Sequence, residues 1–141
     1  YLDPRDPLTL LLEGLPTSEV RQVPWMARVI DLPAAFAGRG QPGHLTAEVD
    51  LVVDDVEAPA NAGHWRLTVA DGSGSATRLD PADVPPTTDP ARVGARGLSA
   101  LWCGWSTSRL RIAGLLAGGS PDDDAALDAA FAATPHLTEY F

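Results

Sequence analysis

The residues of this chain best placed to do chemistry stand at its end, where Thr138-Glu139-Tyr140-Phe141 closes the sequence on two aromatic rings with no polar tail beyond them. Terminal residues fray when little holds them, so a terminus bearing large apolar side chains is expected to dock into a cleft. Docking would carry the α-carboxylate of Phe141 with it. In water that group titrates near about 3.5 and is ordinary; in an aromatic-lined cleft it becomes a fixed negative charge and a proton acceptor.

Other groupings have simpler readings. Gly38-Arg39-Gly40-Gln41-Pro42-Gly43 has the spacing of a dinucleotide-binding turn, but its glycines follow a helix, lead into a strand and enclose a proline, so it reads as a helix-to-strand connection. Gly72-Ser73-Gly74-Ser75 joins two strands and lacks the lysine of a phosphate-binding loop. His44, His64 and His136 are scattered without cysteine or carboxylate at ligand spacing, so no metal site is expected. Asp122-Asp123-Asp124 is explained by the unpaired amides and positive dipole end of a helix start. Ser106, Thr107 and Ser108 lack a local base and suit helix capping better than nucleophilic attack. Trp65, Trp102 and Trp105 read as core or core-edge residues.

The elements that would position these residues follow from periodicity. A short peripheral helix opens at Asp6-Pro7-Leu8 and stops at Gly14, followed by a linker at Pro16-Thr17-Ser18. From Gln22 the pattern predicts an apolar strand, Val23 to Ile30. Asp31 caps a short helix through Phe36 that closes at Gly38. From His44 the period becomes two: Leu45, Ala47, Val49, Leu51 and Val53 face one side. His64 to Val69 repeats the alternation, and Asp71-Gly72-Ser73-Gly74 turns into Ala76-Thr77-Arg78-Leu79. Proline-rich residues 81–90 read as a connection, with a fourth short strand around Arg92 to Arg96. Leu98, Leu101 and Trp102 predict a helix ending at Gly104; Leu110, Ala113 and Leu116 predict another ending at Gly118-Gly119. Ser120-Pro121-Asp122-Asp123 begins a last helix carrying Leu127, Ala130 and Phe131, which Pro135 ends. The fold class is therefore α+β, a mostly antiparallel sheet of about five strands covered by helices.

Composition narrows the functional classes. The 141 residues are 45% apolar and 21% charged, enough for one good core, and the longest apolar runs are too short to cross a bilayer. A net charge of −9 without a single lysine argues against nucleic acid, whose phosphates would be repelled, and favours cationic partners. Cys103 lies in an apolar run, reads as a small buried residue and fits a reducing cytoplasm. Tyr1 is not an initiator methionine and no signal peptide follows it, so the chain is expected to be the back portion of a longer polypeptide. The residues themselves contain no complete active site.

Five stretches share order and spacing with one family: Trp25 to Ala35, Asn61 to Leu67, Leu98 to Gly104, Leu110 to Gly114, and Leu127 to Phe131 continuing to Tyr140-Phe141. Together they resemble the C-terminal region of the Eis-type acetyltransferases, members of the GCN5-related N-acetyltransferase superfamily. The resemblance implies a sterol-carrier-protein-2-like domain over residues 22–141, with residues 1–21 the junction to a missing upstream acetyltransferase region. It implies that acetyl-CoA binds upstream and that no cofactor binds in this chain. It implies that the Phe141 carboxylate accepts a proton from a cationic amine such as an aminoglycoside or other polyamine, with Tyr140 and Glu139 lining the substrate pocket. A homo-oligomer, a hexamer in this family, and a cytoplasmic location complete the expectation, with no nucleic-acid or membrane partner. The pyrophosphate-binding motif of acetyltransferases is absent: Arg111-Ile112-Ala113-Gly114-Leu115-Leu116 has leucine where a small residue is needed, so this chain is not expected to acetylate alone. The competing expectations are a carrier for an apolar ligand held between sheet and helices, and a purely structural role in oligomer assembly.

Overall fold

Alternation of apolar and polar side chains builds the centre of the fold. In the computed structural model, which describes residues 26–84 and 89–133, β1 (Ala47–Asp54) and β2 (Gly63–Ala70) pair antiparallel with Val49 opposite Leu67 and Leu51 opposite Trp65. Because side chains alternate across a strand, this register places Val49, Leu51, Val53, Trp65, Leu67 and Val69 on one buried face. Asp71 and Gly72, at φ 51° and 77°, form the tight turn to β3 (Ser73–Arg78); positive φ at both central residues matches the right-handed twist of a hairpin. The polypeptide returns as β4 (Ala91–Gly94) on the other side of β1, parallel to it, and β5 (Leu116–Ala117) closes the order β3-β2-β1-β4-β5. Three of the four pairings are antiparallel, so the sheet is mixed and mostly antiparallel, in agreement with the expected α+β class.

The helices cover the apolar face. α1 (Leu32–Gly38) is started by the Asp31 side chain, which accepts from the Ala34 amide, and it lies against β3. Phe36 reaches the sheet because Gly74 has no side chain: a Cβ there would stand 2.9 Å from the Phe36 ring. α2 (Ala95–Trp102) packs on β4 and β1, and α4 (Pro121–Ala130) packs on β1. α4 begins with a complete capping box, Ser120 accepting from the Asp123 amide while Asp123 accepts from the Ser120 amide. α3 (Thr107–Ile112) is capped by Ser106 and tied to α4 through Asp128, which accepts from the Thr107 amide at 2.6 Å. Ala27–Ala133 form one compact unit, its core built from Leu32, Phe36, Leu98, Leu101, Leu110, Leu127 and Phe131 against the strands.

Several expectations are corrected. Met26 to Ile30, the described part of the expected strand from Val23, joins no ladder, and the Val29 carbonyl is taken by a side chain instead. The Asn61 carboxamide donates to Val29 O and accepts from Leu32 N, both at 2.9 Å, and Arg28 reaches Asp55 at 2.6 Å. The fourth strand stops at Gly94, and Ala95 and Arg96 already belong to α2. The helix carrying Leu110 ends at Ile112, where Gly114 at φ 68° halts it, and Leu116 enters the core from β5 instead. The last helix ends at Ala130, before Pro135, with Phe131 as its C-cap. The expected helix from Asp6 and residues 134–141, with Pro135, His136, Glu139, Tyr140 and Phe141, lie outside the described residues.

Asn61 is 1% exposed and joins the entry of α1 to β2, since its carbonyl also accepts from Trp65 Nε1 at 2.7 Å. Asn61→Ala leaves a buried amide and a buried carbonyl unpaired, so the urea midpoint is expected to fall by the equivalent of about 2–4 kcal/mol with an unchanged m-value.

Candidate functional site

Where the carboxyl ends of α2 and α4 meet, backbone carbonyls point out of both helices without partners of their own. Arg39, the C-cap of α1, supplies them: Nη1 donates to Trp102 O at 2.8 Å and Nη2 to Phe131 O at 2.9 Å. The guanidinium also lies over two rings, 4.7 Å from the Trp102 centroid and 5.5 Å from that of Phe131. Phe131 completes the junction, 5.5 Å from Phe36 and edge-on to Trp102 at 6.3 Å. Burial lowers the Arg39 pKa from its usual value, opposed by the nearby Cys103 thiol.

Next to this cluster the last described residues press on the end of α2. Gly104 has φ 73°, and a Cβ there would lie 2.4 Å from Ala133 O, so any side chain at 104 would collide with the departing backbone. Cys103 caps α2 and is half-buried, less enclosed than its apolar sequence context led us to expect, because it lies at the helix end beside Arg39. Burial raises its thiol pKa and the Arg39 charge lowers it in part.

A second polar group occupies the sheet face opposite the helices. Arg66 makes a bidentate pair with Asp50 at 2.8 and 3.1 Å, its Nε lies 3.4 Å from Glu48, and His64 Nε2 lies 3.7 Å from Asp50. The bond to Asp50 raises the Arg66 pKa. A third pair, Arg111 to Asp124 at 2.7 and 2.8 Å, links α3 to α4 and raises the Arg111 pKa through the same kind of bond. Thus Asp123 of the acidic run caps the helix, as the helix-start reading implied, while Asp124 makes an ion pair that reading did not include.

Among the described residues, no group of three or more His, Cys, Asp or Glu side chains could hold a metal ion, and no helix is long and apolar enough to cross a membrane. The site residues expected from sequence, Glu139, Tyr140 and Phe141, lie outside the described residues. Trp65 is a core residue and Trp102 is core-edge, as expected, whereas Trp105 is 40% exposed with Arg109 stacked 4.4 Å over it. Arg39 was not singled out. Its glycine-rich string reads correctly as a connection, but nothing local identifies carbonyl partners 63 and 92 residues away.

The family model described as sterol carrier protein domain matches residues 32–138. Among solved structures, the chain is similar to a GCN5-related N-acetyltransferase from Kribbella flavida, with 43% identity and a TM-score of 0.85 over 100% of this chain and 35% of that one. It is similar to Eis1 from Mycobacterium abscessus at 28% identity and a TM-score of 0.58, over 79% of this chain and 26% of that one. A GCN5-related N-acetyltransferase from Anabaena variabilis, 24% identical with a TM-score of 0.65 over 77% of this chain and 26% of that one, shares the fold. No curated protein matches the chain.

The Cys103 environment predicts a pH dependence. A raised thiol pKa in the folded state means that the unfolded chain loses its proton first, so stability is full below the unfolded value of about 8.5 and declines as pH rises towards the folded value. Urea midpoints at pH 7.5, 8.5 and 9.5 should therefore fall more for the natural chain than for Cys103→Ala, and equal slopes would contradict the burial argument.

Proposed function

The chain belongs to the sterol carrier protein domain family, and from that premise we propose that it is the C-terminal accessory domain of an acetyl-CoA-dependent amine N-acetyltransferase. The observation that carries this reading is 43% identity to an N-acetyltransferase along the whole of this chain, which spans 35% of that protein's length. In this reading residues 1–21 join an upstream acetyltransferase region that binds acetyl-CoA, residues 22–141 form the accessory domain, and the intact polypeptide assembles as a cytoplasmic homo-hexamer. The acceptor is a cationic amine, of the aminoglycoside or polyamine class, to which a chain of net charge −9 offers an attractive field.

The α-carboxylate of Phe141 is the proposed proton acceptor, with Glu139 and Tyr140 beside it in the acceptor pocket. An ammonium ion must lose a proton before its nitrogen can attack a thioester, and a carboxylate is a weak base for that step. The group therefore acts first by electrostatic capture and then by accepting the proton through water. A carrier role is the second reading, favoured by the family description itself. Against it, the layer between sheet and helices is filled by Leu51, Leu67, Leu98, Leu101 and Leu127.

Deleting Phe141 from the intact polypeptide, or extending it with a C-terminal tag, should lower kcat by about 10²–10⁴-fold while circular dichroism and Tm stay unchanged. Unchanged turnover would remove the carboxylate from the mechanism. Titration with fatty acyl ligands separates the second reading: the accessory-domain reading expects no stoichiometric change in tryptophan fluorescence, and a tight saturable change would favour the carrier.

A further inference from the structure

We propose that the domain carries a head-to-tail interface for a second copy of the same polypeptide, in which the α3 face bearing Trp105, Arg109 and Ile112 meets the acidic patch around Ile30 and Val56 of the next copy. The proposal rests on the homo-oligomer of the proposed function and deepens it by assigning the surfaces that meet.

Among the described residues of Ala27–Ala133, the large apolar side chains left exposed are Ile30, Val56, Trp105 and Ile112, and they fall into two groups. Trp105 stands just before the Ser106 cap of α3, and Arg109 lies 4.4 Å over its ring, so the pair is ordered before any partner arrives. Ile112, three residues on from Arg109 and 89% exposed, extends the same side of the helix. The charge of this face is unmatched. Arg28, Arg66, Arg92 and Arg111 each pair with a carboxylate, whereas among the described residues none pairs with Arg109.

The second group has the opposite sign. Val56, 94% exposed, lies in the run Asp54-Asp55-Val56-Glu57, and Arg28, two residues before Ile30, pairs with Asp55 and Glu57. Asp31 follows Ile30, so four carboxylates stand against one cation. On a chain of net charge −9, the α3 face is a cationic apolar surface and the Ile30–Val56 patch is its acidic apolar counterpart. The two do not meet within one domain: Asp54 pairs with Gly94 at the start of α2, whereas Trp105 follows the end of that helix, about 12 Å away along its axis. A two-fold contact of either surface with itself would oppose like charges. The complementary arrangement is therefore head to tail, the kind of contact that closes into rings. Tryptophan and arginine are also the residue types enriched where interfaces concentrate their binding energy.

The test uses the intact polypeptide in sedimentation velocity. Ile112→Asp and Val56→Asp, both at exposed positions, are each expected to weaken assembly at least about tenfold with circular dichroism unchanged. Thr77→Asp, opposite Arg66 on the sheet face turned away from the helices, is expected to leave assembly as it is. A benzophenone side chain at position 112 should cross-link to residues 28–31 or 54–57 of a second copy, identified by mass spectrometry of mixed isotopically light and heavy polypeptide. A natural polypeptide that sediments as a monomer overturns this interface together with the homo-oligomer of the proposed function. An oligomer that survives either Ile112→Asp or Val56→Asp unchanged, or loses as much to Thr77→Asp, overturns the interface alone and leaves the homo-oligomer standing. So does a position 112 that gives no cross-link, one within a single polypeptide, or one to another part of the second copy.

Discussion

Carbonyl groups at a helix end need donors, and here two helix ends share one. The guanidinium of Arg39 meets both Trp102 O and Phe131 O and lies over both of their rings, so hydrogen bonding, helix-dipole attraction and cation–π contact converge on a single cation. Burial works against that charge, and lowers its pKa, but the paired carbonyls leave neither side unsatisfied. Through this junction α1, α2 and α4 become one layer.

That layer has a face to rest on because the sheet is apolar on one side only. Val49, Leu51, Trp65, Leu67 and Val93 point towards the helices, while Asp50, His64 and Arg66 occupy the other face, where Arg66 pairs with Asp50. The parallel pairing of β4 with β1 requires a long connection between them, which the β2-β3 hairpin and residues 79–90 provide. At the entry to the unit, Asn61 and Asp55 hold the segment before α1 by side-chain bonds where a ladder is absent.

Features set by neighbouring residues were legible in the sequence. The Asp31 cap, the Ser120 capping box, the Asp71-Gly72 turn and the alternating strands all follow from side-chain reach and backbone φ over a few positions. Features set by distant partners were not. A two-residue strand such as β5 has no periodicity to read, and its apolar Leu116 fits a helical face equally well until Gly114 interrupts it. Asn61 and Arg39 look like ordinary loop residues; their importance comes from carbonyls and amides roughly thirty to ninety residues away. The apolar run from Val23 suited a strand by composition, yet Met26 to Ile30 lack a ladder partner, and composition does not reveal which backbone groups side chains will take.

Phe131 closes the helix layer against Phe36 and Trp102, and the proposed function gives the domain that this layer completes a purpose: presenting a carboxylate to an amine. The most direct measurement is a crystal structure of the intact polypeptide with coenzyme A and a bound acceptor amine. The account predicts the Phe141 carboxylate within hydrogen-bonding reach of the acceptor nitrogen, about 3 Å, or joined to it by one water. A Phe141 carboxylate pointing into bulk solvent, with the acceptor nitrogen facing some other base, would contradict it.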